Sequence, residues 1–384
     1  MLSIPIGTRG KRKLLFYAES PVKYAMFHPI QRLMLADERL EFFFAGELRG
    51  AETSRGMAAR LGVEGARPIR RGLAALCRFD LFLTADYELW TPFEKGRLPI
   101  SDATKVQIFH GASARNGAIQ PKMKRYGRLM VVGPYMYRAF LEAGLFEEGD
   151  PRLEKVGMPK TDRLVNGTLD AGAIRDRLDL NPNRPTIMLA PTWLRRSPMF
   201  DYGEELLERL AAGPWNLIVK FHDKFFDPRY NLVDWRARLR GIEQSRTCKV
   251  VIDEYDATPL LFVTDLLISD VSSISNEFAL LDRPLVFLEV ADAEELKAQY
   301  PQLDLETWGQ RAGGVASDVQ SCLRAVEAGL SDPGRHSELR RALAADIFYN
   351  PGQASERAAS VLYDLLGLEC EWAGEPALLR GEKL

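Results

Sequence analysis

Short apolar runs alternate with stretches of helical period along this chain, and the alternation restarts once midway. Leu14–Ala18, Leu40–Ala45, Asp80–Thr84, Val106–Phe109 and Leu129–Val132 read as strands. A turn at Ser20-Pro21 and helical stretches over Ile30–Ala36 and Tyr135–Ala143 lie between them. After the turn-rich Leu180–Pro185, strands are predicted at Thr186–Ala190, Leu217–Phe221, Val250–Asp253, Leu266–Ser269 and Leu285–Leu288. Helices are predicted at Tyr202–Leu210, Pro259–Val263, Ile274–Leu281, Glu338–Asp346 and Ala354–Leu366. Strands separated by helices imply parallel βαβ units. Two such sets predict an α/β chain of two doubly wound, Rossmann-type domains facing across a cleft. The expected divisions are 1–165, an acceptor-side domain, and 166–340, a nucleotide-donor domain. Residues 341–366 are C-terminal helices with the option of packing back on the first domain, and 367–384 are a tail.

Length and charge narrow the function. The chain has 384 residues, enough for two cores. Its net charge of −2 supplies no general field for nucleic acid, so none is expected as a partner. Cys77, Cys248, Cys322 and Cys370 are far apart and form no CxxC pair. That spacing predicts neither a zinc finger nor a disulfide framework, and fits a reducing compartment. No apolar run reaches the roughly 18 residues that span a bilayer. The N-terminal stretch is too short and too soon polar for a signal peptide. A cytoplasmic protein is expected.

In doubly wound sheets ligands bind beyond the carboxyl ends of strands, so the chemistry is expected at those ends. The strand Leu266–Ser269 stops at Asp270; Ser272 and Ser273 follow, and a helix begins. Amides of a first helical turn beside two hydroxyls suit a phosphate or diphosphate. Glu277, one turn in, is placed to reach a sugar hydroxyl or base edge. A capped helix with Ser at its N-cap is the plainer reading, and the two are compatible. A second strand end delivers His110 into a loop of Gly111, Ser113 and Arg115. Histidine titrates near neutrality and suits a general base. A third places Lys220, His222 and Lys224 together, and a fourth places Thr192, Arg195 and Arg196. Such cations can neutralise a diphosphate as it leaves. Asp253 and Thr258 mark a fifth candidate; Thr258 before Pro259 reads as a helix N-cap. No GxGxxG, GxxxxGK[ST], GxSxG, HExxH or DxD pattern is present. No metal or other cofactor is expected.

These segments, in this order, resemble the CDP-glycerol glycerophosphotransferase family of teichoic acid synthesis, over about Thr104 to Leu366. His110–Arg115 resembles the family's HGT-P-x-K loop. Gly157-Met158-Pro159-Lys160-Thr161-Asp162 resembles G-x-P-K/R-x-D, and Ala190–Arg195 resembles APTWR. Ser269–Pro284 resembles TDYSSV-x-F-D-F-x-LL-x-RP. The resemblance implies a GT-B fold and transfer of glycerol phosphate from CDP-glycerol to a hydroxyl, with CMP leaving. It implies His110 as base, and His222, Arg195, Ser272 and Ser273 on the donor diphosphate. Glu277 stands where the family has Asp.

A related CDP-alditol donor stays open. So do a GT-B glycosyltransferase using a nucleotide sugar, and an inactive nucleotide- or glycan-binding member. The implied acceptor is a hydroxyl on a lipid-linked chain at the inner face of the membrane. Basic runs at Arg9–Lys13, Arg67–Arg71 and Lys122–Arg128 suit peripheral contact with an anionic surface, and equally suit solvated loops.

Overall fold

The structure, a computed structural model, describes residues 3–46, 53–88, 98–112, 118–193, 197–228, 233–242, 247–252, 254–290, 294, 298 and 308–370. Residue 223 is described through its backbone alone. The contacts divide into two units. Met1–Gly111, Gly117–Asp162 and Phe348–Leu384 form the first; Ala112–Asn116 and Arg163–Ile347 form the second.

Seven strands build the sheet of the first unit. They are β1 (Arg12–Ala18), β2 (Leu40–Gly46), β3 (Ala66–Pro68), β4 (Leu81–Thr84), β5 (Thr104–Ile108), β6 (Arg128–Val131) and β7 (Leu153–Lys155). All pairings are parallel, in the order β3-β2-β1-β4-β5-β6-β7. The first six repeat the 3-2-1-4-5-6 order of a dinucleotide-binding sheet, which reverses direction between β1 and β4. Leu14–Ala18 are buried throughout, because helices cover both faces of a parallel sheet. Thr84 pairs in register with Gln107, so the chain leaving β4 runs beside the chain leaving β5.

Ser20-Pro21 is a helix start rather than a turn. The helix runs Pro21–Met34, with proline at its first position and Pro29 inside it. Proline lacks an N–H that this position leaves unbonded anyway, and its fixed φ suits the helix. Tyr24, Phe27, Ile30, Gln31 and Met34 form the buried stripe. Against this helix packs Ala354–Leu366, the C-terminal helix of the same unit. Asp162 joins them across the sequence: its two carboxylate oxygens accept Ala354 N–H at 3.0 Å and Ser355 N–H at 2.7 Å. Gly157 lies at φ +107, and a Cβ there would stand 2.2 Å from the Tyr349 carbonyl oxygen. Only glycine fits this crossing.

The second unit has six parallel strands. They are β8 (Thr186–Leu189), β9 (Asn216–Val219), β10 (Cys248–Val250), β11 (Leu266–Ser269), β12 (Leu285–Leu288) and β13 (Gly314–Ala316). Their order, β10-β9-β8-β11-β12-β13, is again 3-2-1-4-5-6, with its reversal between β8 and β11. The strand expected at Val250–Asp253 is Cys248–Val250 instead, starting two residues earlier, on the edge of the sheet.

A helix at Val319–Ser331 escaped the sequence reading. Asp318 opens it with a capping box, taking Ser321 N–H at 2.7 Å while the Ser321 hydroxyl takes Asp318 N–H at 3.0 Å. Val319, Cys322 and Val326 enter the core with Leu206, Leu217, Ile268 and Val286. Each large aliphatic side chain fully buried this way contributes roughly 1.5–3 kcal/mol. The helix Ser337–Ile347 is tied in by Arg340, whose Nε meets Asp282 at 3.0 Å and whose Nη2 reaches the Pro333 carbonyl at 2.7 Å. The four cysteines are free thiols; three are buried. No helix among the described residues is long and apolar enough to cross a membrane.

Candidate active site

The chemistry-bearing residues of the first unit sit where β4 and β5 end. His110 lies two residues beyond β5, and its Nδ1 is 2.7 Å from the Ala85 carbonyl oxygen, one residue beyond β4. A carbonyl oxygen only accepts, so the hydrogen is assigned to Nδ1 and the lone pair to Nε2. The ring stacks on Tyr87 at a centroid distance of 4.6 Å and 28° between planes. A Cβ at Gly111 would meet no atom within 4 Å among the described residues. Ser113 and Arg115 lie outside the described residues.

In the second unit, β8 and β11 end side by side at the reversal of strand order. Asp270 is fully buried there. Its carboxylate accepts Thr192 N–H at 2.8 and 3.0 Å and the Ser197 hydroxyl at 3.3 Å. Ser269 donates its hydroxyl to the Ala190 carbonyl at 2.8 Å. These bonds fasten the loop after β8 to the start of the loop after β11. Asp270 and Thr192 therefore serve first as a clasp. Ser272 is the N-cap of the helix Ser273–Ala279 but makes no capping hydrogen bond through its side chain. Ser272 and Ser273 are half-buried, whereas Glu277 is buried at 3% exposure. Asn276 donates Nδ2 to the Ala112 carbonyl at 2.5 Å, within the same unit.

The β9 end carries the second imidazole. His222 is exposed, and its Nδ1 accepts the Lys224 N–H at 3.1 Å. The hydrogen of the neutral ring is thus assigned to Nε2. Lys224 Nζ sits 4.0 Å from the centroid of Trp193, whose ring lies 6.1 Å from that of His222. Lys220 bonds the Phe221 carbonyl through Nζ at 3.1 Å. Lys220, His222 and Lys224 thus share one strand end with Trp193 beside them.

One expectation is corrected by this geometry. Thr258 is the first helical residue of Thr258–Phe262, and Ala257 is the N-cap. Thr258 is fully buried, and its N–H is taken by Asp256 at 3.0 Å, because the aspartate two residues back closes the turn. Some residues of the basic runs have partners within the protein. Arg12 pairs with Asp80 at 3.1 Å, Arg67 with Glu41 at 2.6 Å and Arg128 with Glu154 at 3.3 Å; Lys122 pairs with Glu88. Arg71 lies over the Tyr17 ring. Arg195, Arg196 and Asp253 lie outside the described residues. The sequence reading passed over Ala85, Asp86 and Tyr87, although they follow a predicted strand by the same logic that selected His110.

Two parallel sheets sharing the 3-2-1-4-5-6 order, each with polar side chains gathered at its carboxyl ends, define a GT-B-type architecture. Its nearest chemistry is narrowed by a family model described as CDP-Glycerol:Poly(glycerophosphate) glycerophosphotransferase, which matches residues 102–364. The chain belongs to that family. It is 31% identical over 168 residues to a teichoic acid glycerol-phosphate primase of Bacillus spizizenii, covering 42% of this chain and 40% of the relative. It spans only 28–49% of the length of the first curated relatives it matches. Among solved structures, the wall teichoic acid polymerase TagF superimposes with a TM-score of 0.69 at 16% identity, over 94% of this chain and 90% of that one. A histidine-to-asparagine variant of that polymerase, soaked with CDPG, superimposes at 0.65 with 17% identity, over 94% and 89%.

Proposed function

We propose that this chain transfers glycerol phosphate, or a related alditol phosphate, from a CDP-activated donor to a hydroxyl acceptor in cell-surface polymer synthesis. Family membership supports the reaction class, and the hydrogen bonding of His110 is the observation that carries the mechanism. The acceptor oxygen attacks the phosphorus that bears the alditol. The new P–O bond forms as the diphosphate P–O bond breaks, and CMP departs. Nε2 of His110 takes the hydroxyl proton, because Nδ1 is already committed to Ala85. His222 presents Nε2–H and serves as a donor to diphosphate oxygens, with Lys220 and Lys224 adding positive charge at the same strand end. Ser272, Ser273, Glu277, Thr192, Arg195, Arg196 and Asp253 complete the proposed donor side, with Asp270 as the clasp beneath it and Thr258 buried outside it. Gly111, Ser113 and Arg115 form the proposed loop near the acceptor. In this reading the cations do the work of a metal, so EDTA leaves turnover unchanged.

A lipid-linked acceptor and peripheral contact with the inner membrane face are the finer part of the proposal. Beside the basic runs, the support comes from three exposed apolar residues. Ile4, Leu73 and Leu76 are 43%, 43% and 40% exposed, and Ile4 N–H bonds the Leu76 carbonyl at 3.0 Å. Sedimentation with anionic vesicles tests this; unchanged sedimentation on Leu73→Ser with Leu76→Ser removes the patch from the reading. Incubation with CDP-glycerol, CDP-ribitol and UDP-sugars tests the main proposal. Release of CMP supports it; release of a nucleoside diphosphate from a sugar donor instead replaces it with glycosyl transfer.

A further inference from the structure

The tripeptide Ala85-Asp86-Tyr87 is fastened at every residue, and each fastening bears on His110. The Ala85 carbonyl faces Nδ1 of the imidazole at 2.7 Å. Tyr87 covers one face of the ring. Asp86, only 3% exposed, holds the segment between them. Its carboxylate is ion-paired with Lys23 of the helix Pro21–Met34, accepts Glu19 N–H at 3.3 Å and meets the Thr84 hydroxyl at 3.5 Å. Its carbonyl accepts the buried Tyr126 hydroxyl at 3.1 Å, and its N–H donates to the Thr84 hydroxyl oxygen at 3.0 Å. A buried carboxylate with this many partners is costly to rearrange. It holds the two flanking residues at fixed positions against the ring.

We propose that Tyr87 and Asp86 are positioning residues for His110: Tyr87 fixes the ring plane, and Asp86 fixes the carbonyl that dictates which nitrogen is basic. Neither touches substrate in this scheme. The proposal rests on His110 as the base. Without an enforced partner at Nδ1, an imidazole is free to exchange its hydrogen between the two nitrogens and to turn about its side-chain torsions. A ring turned away from the acceptor loses the aligned geometry on which proton transfer depends, and misplacement by about 1 Å costs on the order of 10²-fold.

The test uses the full chain labelled with ¹⁵N-histidine. Long-range ¹H–¹⁵N NMR at alkaline pH, with the His110 signal assigned by its loss in His110→Gln, reads the tautomer directly. In the unaltered protein His110 should show hydrogen on Nδ1. Tyr87→Ala and Asp86→Asn should each convert it to exchanging tautomers and lower kcat roughly 10- to 100-fold with KM held within about twofold. Tyr87→Phe, which keeps the ring, should restore both readouts. Where Asp86→Asn fails to fold, the Tyr87 pair decides alone. A His110 tautomer and kcat unmoved by Tyr87→Ala overturn the proposal. A tautomer that moves while kcat does not leaves the positioning of the ring intact and removes His110 from the base role instead.

Discussion

His110 and His222 leave strand ends of two sheets that share a six-strand order, yet their imidazoles are wired in opposite senses. In the first unit Nδ1 donates to a carbonyl, so Nε2 is basic. In the second Nδ1 accepts a backbone N–H, so Nε2 is a donor. His110 is half-buried and stacked on tyrosine; His222 is exposed beside a tryptophan and two lysines. One residue type is thus given two chemistries by what the neighbouring backbone offers. A base takes a proton from a nucleophile, and a donor steadies negative charge on a leaving group.

Glutamine is the sharpest probe of this contrast, since its terminal NH₂ stands near the place of Nε2 and donates but is not basic. His110→Gln should lower kcat by about 10²- to 10⁴-fold while donor affinity by calorimetry stays near its original value. His222→Ala should cost about 10²-fold, and His222→Gln should recover much of that loss. Steady-state rates of CMP release measure all three. Equal losses in the two glutamine variants would break the contrast.

The clasp beneath the second region is predicted to matter for stability. Asp270→Ala strands the Thr192 N–H and the Ser197 hydroxyl in a buried site. Each stranded group costs about 1–3 kcal/mol, which urea unfolding followed by tryptophan fluorescence should register. An unchanged midpoint would show that the loop after β8 does not depend on Asp270.

The smallest effect concerns the first unit and pH. Burial pushes the Asp162 carboxyl up to about 7, outweighing the downward pull of the Ser355 and Ala354 hydrogen bonds. In the unfolded chain the same group titrates near 4. The folded state therefore binds the proton more tightly. This contribution to stability is present at acidic pH and is lost as pH rises through about 7. Asp162→Asn should flatten the fall in stability between about pH 4 and pH 7, read by thermal unfolding at each pH. A slope identical to that of the unaltered chain would assign the pH response elsewhere.

Much of the architecture was legible because buried parallel strands are nearly continuous apolar runs. Leu14–Ala18, Leu266–Ser269 and Leu285–Leu288 stand out for that reason. The short edge strands β3, β7 and β13 did not, since three residues carry too little periodicity. Pro29 disguised the length of the helix Pro21–Met34, because an interior proline removes a helical hydrogen bond and reads as a break. The helix Val319–Ser331 had readable signals in Asp318, Ser321 and the spacing of Val319, Cys322 and Val326. At the site, His110, His222 and Ser272 were selected by their place after strands. Asp270 was selected by the same rule, though its carboxylate turns inward to Thr192.

The sequence by itself determined that this chain is two parallel α/β units, and which strand ends carry imidazoles, hydroxyls and cations. Hydrophobic runs and chain order encode those facts locally. Only the tertiary structure decided which nitrogen of each histidine is basic, that Asp270 is a clasp, and that Asp162 holds a helix nearly two hundred residues away. Each depends on a partner brought near by the fold, and a hydrogen bond's direction is set by that partner and not by the residue's own identity.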